Sequence, residues 1–147
     1  MDEKIILLVE DNPDDEELTM IALKESNILN DVVVTHDGAE AMDYLSGTGK
    51  FAGNDLIRMP QIILLDLNLP KLGGLEVLER LRANPRTQFI PVIVLTSSSE
   101  EEDNLASYRL GANSFVRKPV EFHRFVDAIR QLGIYWLLVN ENPHHPW

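Results

Sequence analysis

The sequence predicts an α/β protein with a doubly wound, five-stranded parallel sheet and helices on both faces. Short apolar runs alternate along the chain with amphipathic stretches. The runs are continuous rather than alternating in polarity, as in strands that are buried on both faces. The length of 147 residues fits one domain.

Five runs are assigned to strands: residues 5–9, 32–34, 62–65, 92–95 and 114–117. The stretches after them are assigned to helices: residues 13–26, 39–45, 74–83, 100–110 and 120–139. Pro13 and the acidic residues after it suit a first helical turn. Gly73, Gly74 and Gly111 are interpreted as turn or helix-end residues with positive φ. The right-handed crossover rule favours the flavodoxin-like strand order 2-1-3-4-5.

Composition excludes several function classes. The net charge is −11, from 24 acidic and 13 basic residues. Such a surface repels phosphate backbones, so we expect no nucleic-acid partner. There is no cysteine for a thiolate metal site. No signal peptide or spanning segment is visible, and we expect a cytoplasmic protein with no membrane partner.

Polar residues follow four of the predicted strands. They are Glu10 and Asp11, Asp66, Thr96, and Lys118. Because the carboxyl ends of parallel strands line one crevice, these side chains are expected to converge. Three carboxylates at short range repel one another unless a cation lies between them, and Mg²⁺ accepts such oxygen ligands. A carboxylate nucleophile, a metal, an ammonium group and a hydroxyl together indicate phosphoryl transfer.

Four segments carry a family resemblance. They are LVEDN at 8–12, LLDLNLPKLGG at 64–74, VLTS at 94–97 and FVRKP at 115–119. In this order, each at a strand end, they resemble the signatures of response-regulator receiver domains. The long connection at 46–60 and the aromatic C-terminus also resemble the small response regulators of bacterial phytochrome kinases. We expect a receiver domain at 1–139, a tail at 140–147 and no output domain.

The resemblance implies a role for each matching residue. Asp66 would accept a phosphoryl group from a sensor histidine kinase, directly or in a relay with a histidine phosphotransfer protein. The Mg²⁺ ligands would be Glu10, Asp11, Asp66 and the carbonyl of Asn68. Thr96 and Lys118 would contact the phosphoryl oxygens. Phe115 would switch with Thr96, altering the surface of the fourth helix, fifth strand and fifth helix, and Pro119 would follow a cis bond.

Other functions fit these residues less well. Glu10 and Asp11 alone could be acids at a helix N-terminus. An aspartyl-phosphate phosphatase similar to haloacid dehalogenases needs an acid two residues after the nucleophile, where this chain has Asn68. The glycine motifs of nucleotide-binding domains are absent, as is the aromatic-lined loop of a flavin carrier. A structural pseudo-receiver would be expected to lose acidic residues or the lysine, and this chain keeps all of them.

The predicted last helix ends in an apolar segment at 134–139. This segment is apolar on all sides, whereas a surface helix needs only one apolar stripe to pack against the core. Part of the segment should therefore face away from the core. Tyr135, Leu137 and Leu138 are therefore expected in an interface, and we favour a two-fold homodimer. The alternative is that the tail or the connection at 46–60 covers them.

Overall fold

The computed structural model describes residues 5–28, 30–52, 59–96, 101–117 and 122–134. Its strands are β1 (Ile5–Val9), β2 (Asp31–Thr35), β3 (Ile62–Leu65), β4 (Val92–Thr96) and β5 (Ser114–Arg117). They form one sheet in the order β2-β1-β3-β4-β5, and every neighbouring pair is parallel. The predicted fold class and strand order are confirmed.

The helices are α1 (Pro13–Glu25), α2 (Gly38–Ser46), α3 (Gly74–Ala83), α4 (Glu101–Arg109) and α5 (Phe122–Ile134). Their bounds agree with the sequence prediction to within one residue, except at the ends of α5. The predicted helical residues 120–121 and 135–139, and the tail at 140–147, lie outside the described residues. Among the described residues, no helix is long and apolar enough to cross a bilayer.

Each face of the sheet carries its own apolar cluster. Leu7, Ile63 and Val94 point to the side covered by α2 and α3. Their neighbours, such as Leu8 and Leu64, point to the side covered by α1 and α5. Because successive strand residues face opposite sides, a strand buried by helices on both faces must be continuously apolar.

The connection at 46–60 contains a short 3-10 turn at Gly49–Phe51 that the sequence analysis did not identify. The Phe51 ring packs edge-on against Tyr44 of α2, with 5.1 Å between ring centroids. This contact holds the start of the connection on the helix; residues 53–58 lie outside the described residues.

One local prediction is wrong. Gly111 has the expected positive φ, but Gly73 has a φ of −68° and Gly74 is not among the residues with positive φ. Gly74 instead begins α3 where the chain passes very close to the end of β3. Space, rather than a left-handed backbone, makes glycine necessary at this position.

Candidate functional site

Three carboxylates meet at the carboxyl end of the sheet. One oxygen from each of Glu10, Asp11 and Asp66 lies within 4.8 Å of the other two. β1 and β3 are neighbours with Val9 opposite Leu65, so the residues that follow them lie side by side. Glu10 is 1% exposed and Asp66 is 6% exposed, whereas Asp11 is open to solvent.

Backbone groups fix the two buried carboxylates. The Asp66 amide donates to the Val9 carbonyl (3.0 Å), which extends the pairing of β3 with β1. The Asn68 amide donates to Asp66 Oδ1 (3.2 Å), and the Asn12 amide donates to Glu10 Oε2 (3.4 Å). The loops that leave the two strands therefore turn back to hold the side chains at their ends.

The N-terminus of α1 is capped by Asn12, a role that the sequence analysis missed. Asn12 Oδ1 accepts from the amides of Asp14 (2.9 Å) and Asp15 (3.2 Å). An Asn directly before a Pro at the first helical position is a known capping signal. Since Asn12 caps the helix, that role does not account for Glu10 and Asp11, and the alternative interpretation of these acids loses its main support.

The donor set suits a divalent cation. Carboxylate oxygens are hard ligands, and Mg²⁺ and Mn²⁺ prefer such ligands. Burial of Glu10 and Asp66 beside Asp11 also concentrates like charges, which a cation between them would offset. The three side chains therefore fit a metal site that is open to solvent on the Asp11 side.

The other predicted site residues are described to different extents. Asn68 lies exposed on the loop after Asp66. Thr96 ends β4 at the same edge of the sheet, and only its backbone is described. Phe115, in β5 opposite Val94, is half-buried and packs against the cluster under α2 and α3. Five predicted residues lie outside the described part of the chain: Lys118, Pro119, Tyr135, Leu137 and Leu138.

Comparison with known proteins identifies the family. The model of the response regulator receiver domain matches residues 6–130. The response regulator Rcp1 of Synechocystis is 39% identical over 134 residues, which cover 91% of this chain and 89% of Rcp1.

Solved structures of response regulators support the same family assignment. The phosphorylated cyanobacterial phytochrome response regulator RcpA is 38% identical, with a TM-score of 0.86 over 97% of this chain and 99% of that one. The bacteriophytochrome response regulator RtBRR is 52% identical, with a TM-score of 0.78 over 95% of this chain and 84% of its own. A Mn²⁺-bound form of Rcp1 has a TM-score of 0.83 at 38% identity, over 95% of this chain and 99% of its own. The chain belongs to the response regulator receiver domains, the family that receives phosphoryl groups in two-component signalling.

Proposed function

We propose that Asp66 is the phosphoacceptor of this receiver domain and that Mg²⁺ binds between Glu10, Asp11 and Asp66. The observation that carries the proposal is the meeting of these three carboxylates within 4.8 Å at the end of the sheet. Asp66 is the central candidate because it follows the middle strand and is nearly buried. Buried groups at the strand ends of such a sheet are placed to meet a ligand in the crevice.

In the proposed reaction, an Asp66 carboxylate oxygen attacks the phosphorus of a phosphohistidine on the kinase. A P–O bond forms, the P–N bond breaks, and the imidazole leaves with the electron pair and takes up a proton. The Asn68 amide fixes the direction of the carboxylate through Asp66 Oδ1. A cation bound between Glu10, Asp11 and Asp66 would supply positive charge that offsets the attacking carboxylate and the phosphoryl oxygens.

The remaining roles follow from the family resemblance. Glu10, Asp11 and the Asn68 carbonyl would hold the metal together with Asp66. The Thr96 hydroxyl donates a hydrogen bond to a phosphoryl oxygen, and the Lys118 ammonium pairs with another.

Phosphorylation is proposed to switch the surface formed by α4, β5 and α5. Movement of Thr96 toward the phosphoryl group leaves space into which Phe115, a half-buried residue, turns. Amide chemical shifts measured with and without beryllofluoride, a phosphoryl mimic, should change around Phe115 and Tyr108. Changes confined to the metal site would contradict the switch.

The proposed partners also follow from the family resemblance. The protein is proposed to act in the cytoplasm with a sensor histidine kinase as its phosphodonor, and similarity to RcpA and RtBRR supports a phytochrome kinase. A histidine phosphotransfer protein would be a second partner if the chain acts in a relay. The receiver domain is proposed to span residues 1–139, followed by a tail at 140–147.

The proposal is tested by incubating the protein with Mg²⁺ and acetyl phosphate and measuring its intact mass. The wild type should gain one phosphoryl group, and Asp66→Asn or chelation of Mg²⁺ should abolish the gain. Asp127→Asn, an exposed position on α5, is the matched control and should be labelled like the wild type. An Asp66→Asn protein that is labelled as fast as the wild type would contradict the assignment.

A further inference from the structure

The start of α3 lies directly against the backbone of Asp66. The Gly74 amide donates to the Leu67 carbonyl (3.1 Å). A Cβ on Gly74 would lie 2.4 Å from the Asp66 carbonyl oxygen and 2.6 Å from the Leu67 Cα. These are backbone atoms, which cannot rotate away as the end of a flexible side chain can. Any side chain at position 74 would therefore move either the first turn of α3 or Asp66 itself.

The adjacent Gly73 provides the contrast. A Cβ there would meet no atom within 4 Å, and its φ of −68° is accessible to any residue. The two consecutive glycines therefore differ in whether the structure leaves space for a side chain. Of these two glycines, only Gly74 has no space for a side chain.

The other end of the loop at 67–73 is held by α2. A Cβ on Gly38, the first residue of α2, would lie 2.1 Å from the Leu72 carbonyl oxygen. Lys71, in the left-handed region at φ 65°, places its ammonium nitrogen 3.5 Å from Asp37 Oδ2. The loop that carries Asn68 is thus bounded by a close backbone approach at each end.

We propose that Gly74 is a positioning residue for Asp66, which rests on the proposed function of Asp66 as metal ligand and phosphoacceptor. Without a side chain at position 74, α3 begins against the Asp66 carbonyl and sets the path of the chain where β3 ends. That path brings the Asn68 amide to Asp66 Oδ1 (3.2 Å) and directs the carboxylate toward Glu10 and Asp11. Groups that orient metal ligands strongly influence metal affinity.

The test compares the Mn²⁺ affinities of wild type, Gly74→Ala and Gly73→Ala, measured by electron paramagnetic resonance. Gly74→Ala should bind Mn²⁺ about tenfold or more weakly, the range found when orienting groups are lost, and Gly73→Ala should match the wild type. A folded Gly74→Ala protein that binds as tightly as Gly73→Ala would overturn the proposal. A wild type that binds no Mn²⁺ would instead overturn the proposed metal site.

A destabilised control separates positioning from folding. Ile129→Ala removes a buried side chain from α5, on the opposite face of the sheet, and should lose stability but not Mn²⁺ affinity. If Gly74→Ala is largely unfolded without metal, its near-ultraviolet circular dichroism is recorded during a Mn²⁺ titration, beside Ile129→Ala brought to the same unfolded fraction with urea. Metal stabilises a folded protein with an intact site, so refolding of both variants at the same Mn²⁺ concentration would overturn the proposal. A Gly74→Ala protein that needs about tenfold or more Mn²⁺ to refold would support it.

Discussion

At the scale of single residues, two buried threonines differ in how their hydroxyls are satisfied. Thr87 is 2% exposed, and its hydroxyl donates to the Leu81 carbonyl (2.7 Å). Thr19 is fully buried in α1, and its Oγ1 has no partner in the part of the chain that the structure describes. A buried hydroxyl without a partner costs free energy, whereas one with a good partner stabilises the fold.

Replacement by valine, which has nearly the same shape, should therefore have opposite effects at the two positions. Thr19→Val should raise the free energy of unfolding by about 1 kcal/mol, and Thr87→Val should lower it by about 1 kcal/mol or more. Urea denaturation of both variants beside the wild type measures the two differences. Equal shifts of the same sign would contradict this view of the two sites.

The sequence predicted which residues form the site better than it predicted the backbone packing around them. Glu10, Asp11 and Asp66 could be placed together because each follows a buried apolar run, and parallel strands bring such ends to one edge. The need for glycine at position 74 could not be predicted in the same way. It arises from the path of the loop against the Asp66 carbonyl, and the sequence contains two adjacent glycines with no sign of which one is crowded.

At the scale of elements, Arg82 joins α3 to the connections at the amino end of the sheet. Its guanidinium donates to the carbonyls of Gln88 (2.9 Å), Ile90 (2.8 Å) and Gly111 (2.7 Å), and to Asn113 Oδ1 (3.0 Å). Burial lowers the pKa of Arg82 from its usual value, but an arginine remains protonated at neutral pH. One cation therefore satisfies carbonyls from the α3–β4 connection and from the turn between α4 and β5.

Loss of this cation should be costly because it leaves several carbonyls without their donor. Arg82→Met is expected to lower the free energy of unfolding by about 2 kcal/mol or more. Arg80→Met, on the exposed side of the same helix, is the control and should change it by less than about 0.5 kcal/mol. Thermal and urea unfolding measure both, and equal losses in the two variants would contradict the role of Arg82.

The strands and most helix ends were predictable because continuous apolar runs mark strands buried on two faces and amphipathic stretches mark the helices, with Pro13 at the start of α1. The long-range role of Arg82 was not predictable, since its partners lie up to 31 residues away in the chain. The 3-10 turn at Gly49–Phe51 was missed for a similar reason. It packs through the Tyr44–Phe51 ring contact, and no apolar periodicity marks so short an element.

At the scale of the whole molecule, α4 leaves apolar side chains in solvent. Leu105 is 52% exposed and Tyr108 is 47% exposed, on the surface proposed to switch. Such residues support the two-fold homodimer expected from the sequence, and we propose that it forms through α4, β5 and α5. Sedimentation velocity at tens of micromolar should show a dimeric wild type and a monomeric Leu137→Glu/Leu138→Glu variant.

Ile21→Glu, an exposed position on α1 away from that surface, is the control for the dimer and should behave like the wild type. A wild type that stays monomeric with and without beryllofluoride would contradict the dimer. The exposed side chains of α4 would then be assigned to docking of a kinase or a target.

The central claim is that a divalent cation held by Glu10, Asp11 and Asp66 allows Asp66 itself to be phosphorylated. The most direct measurement locates the phosphoryl group. The protein is incubated with acetyl phosphate and Mg²⁺, reduced with borohydride, which converts an aspartyl phosphate to homoserine, and digested for peptide mass spectrometry. We predict homoserine at position 66 alone, and none when the cation is chelated. Homoserine at another aspartate, or equal conversion at position 66 without a divalent cation, would contradict the account.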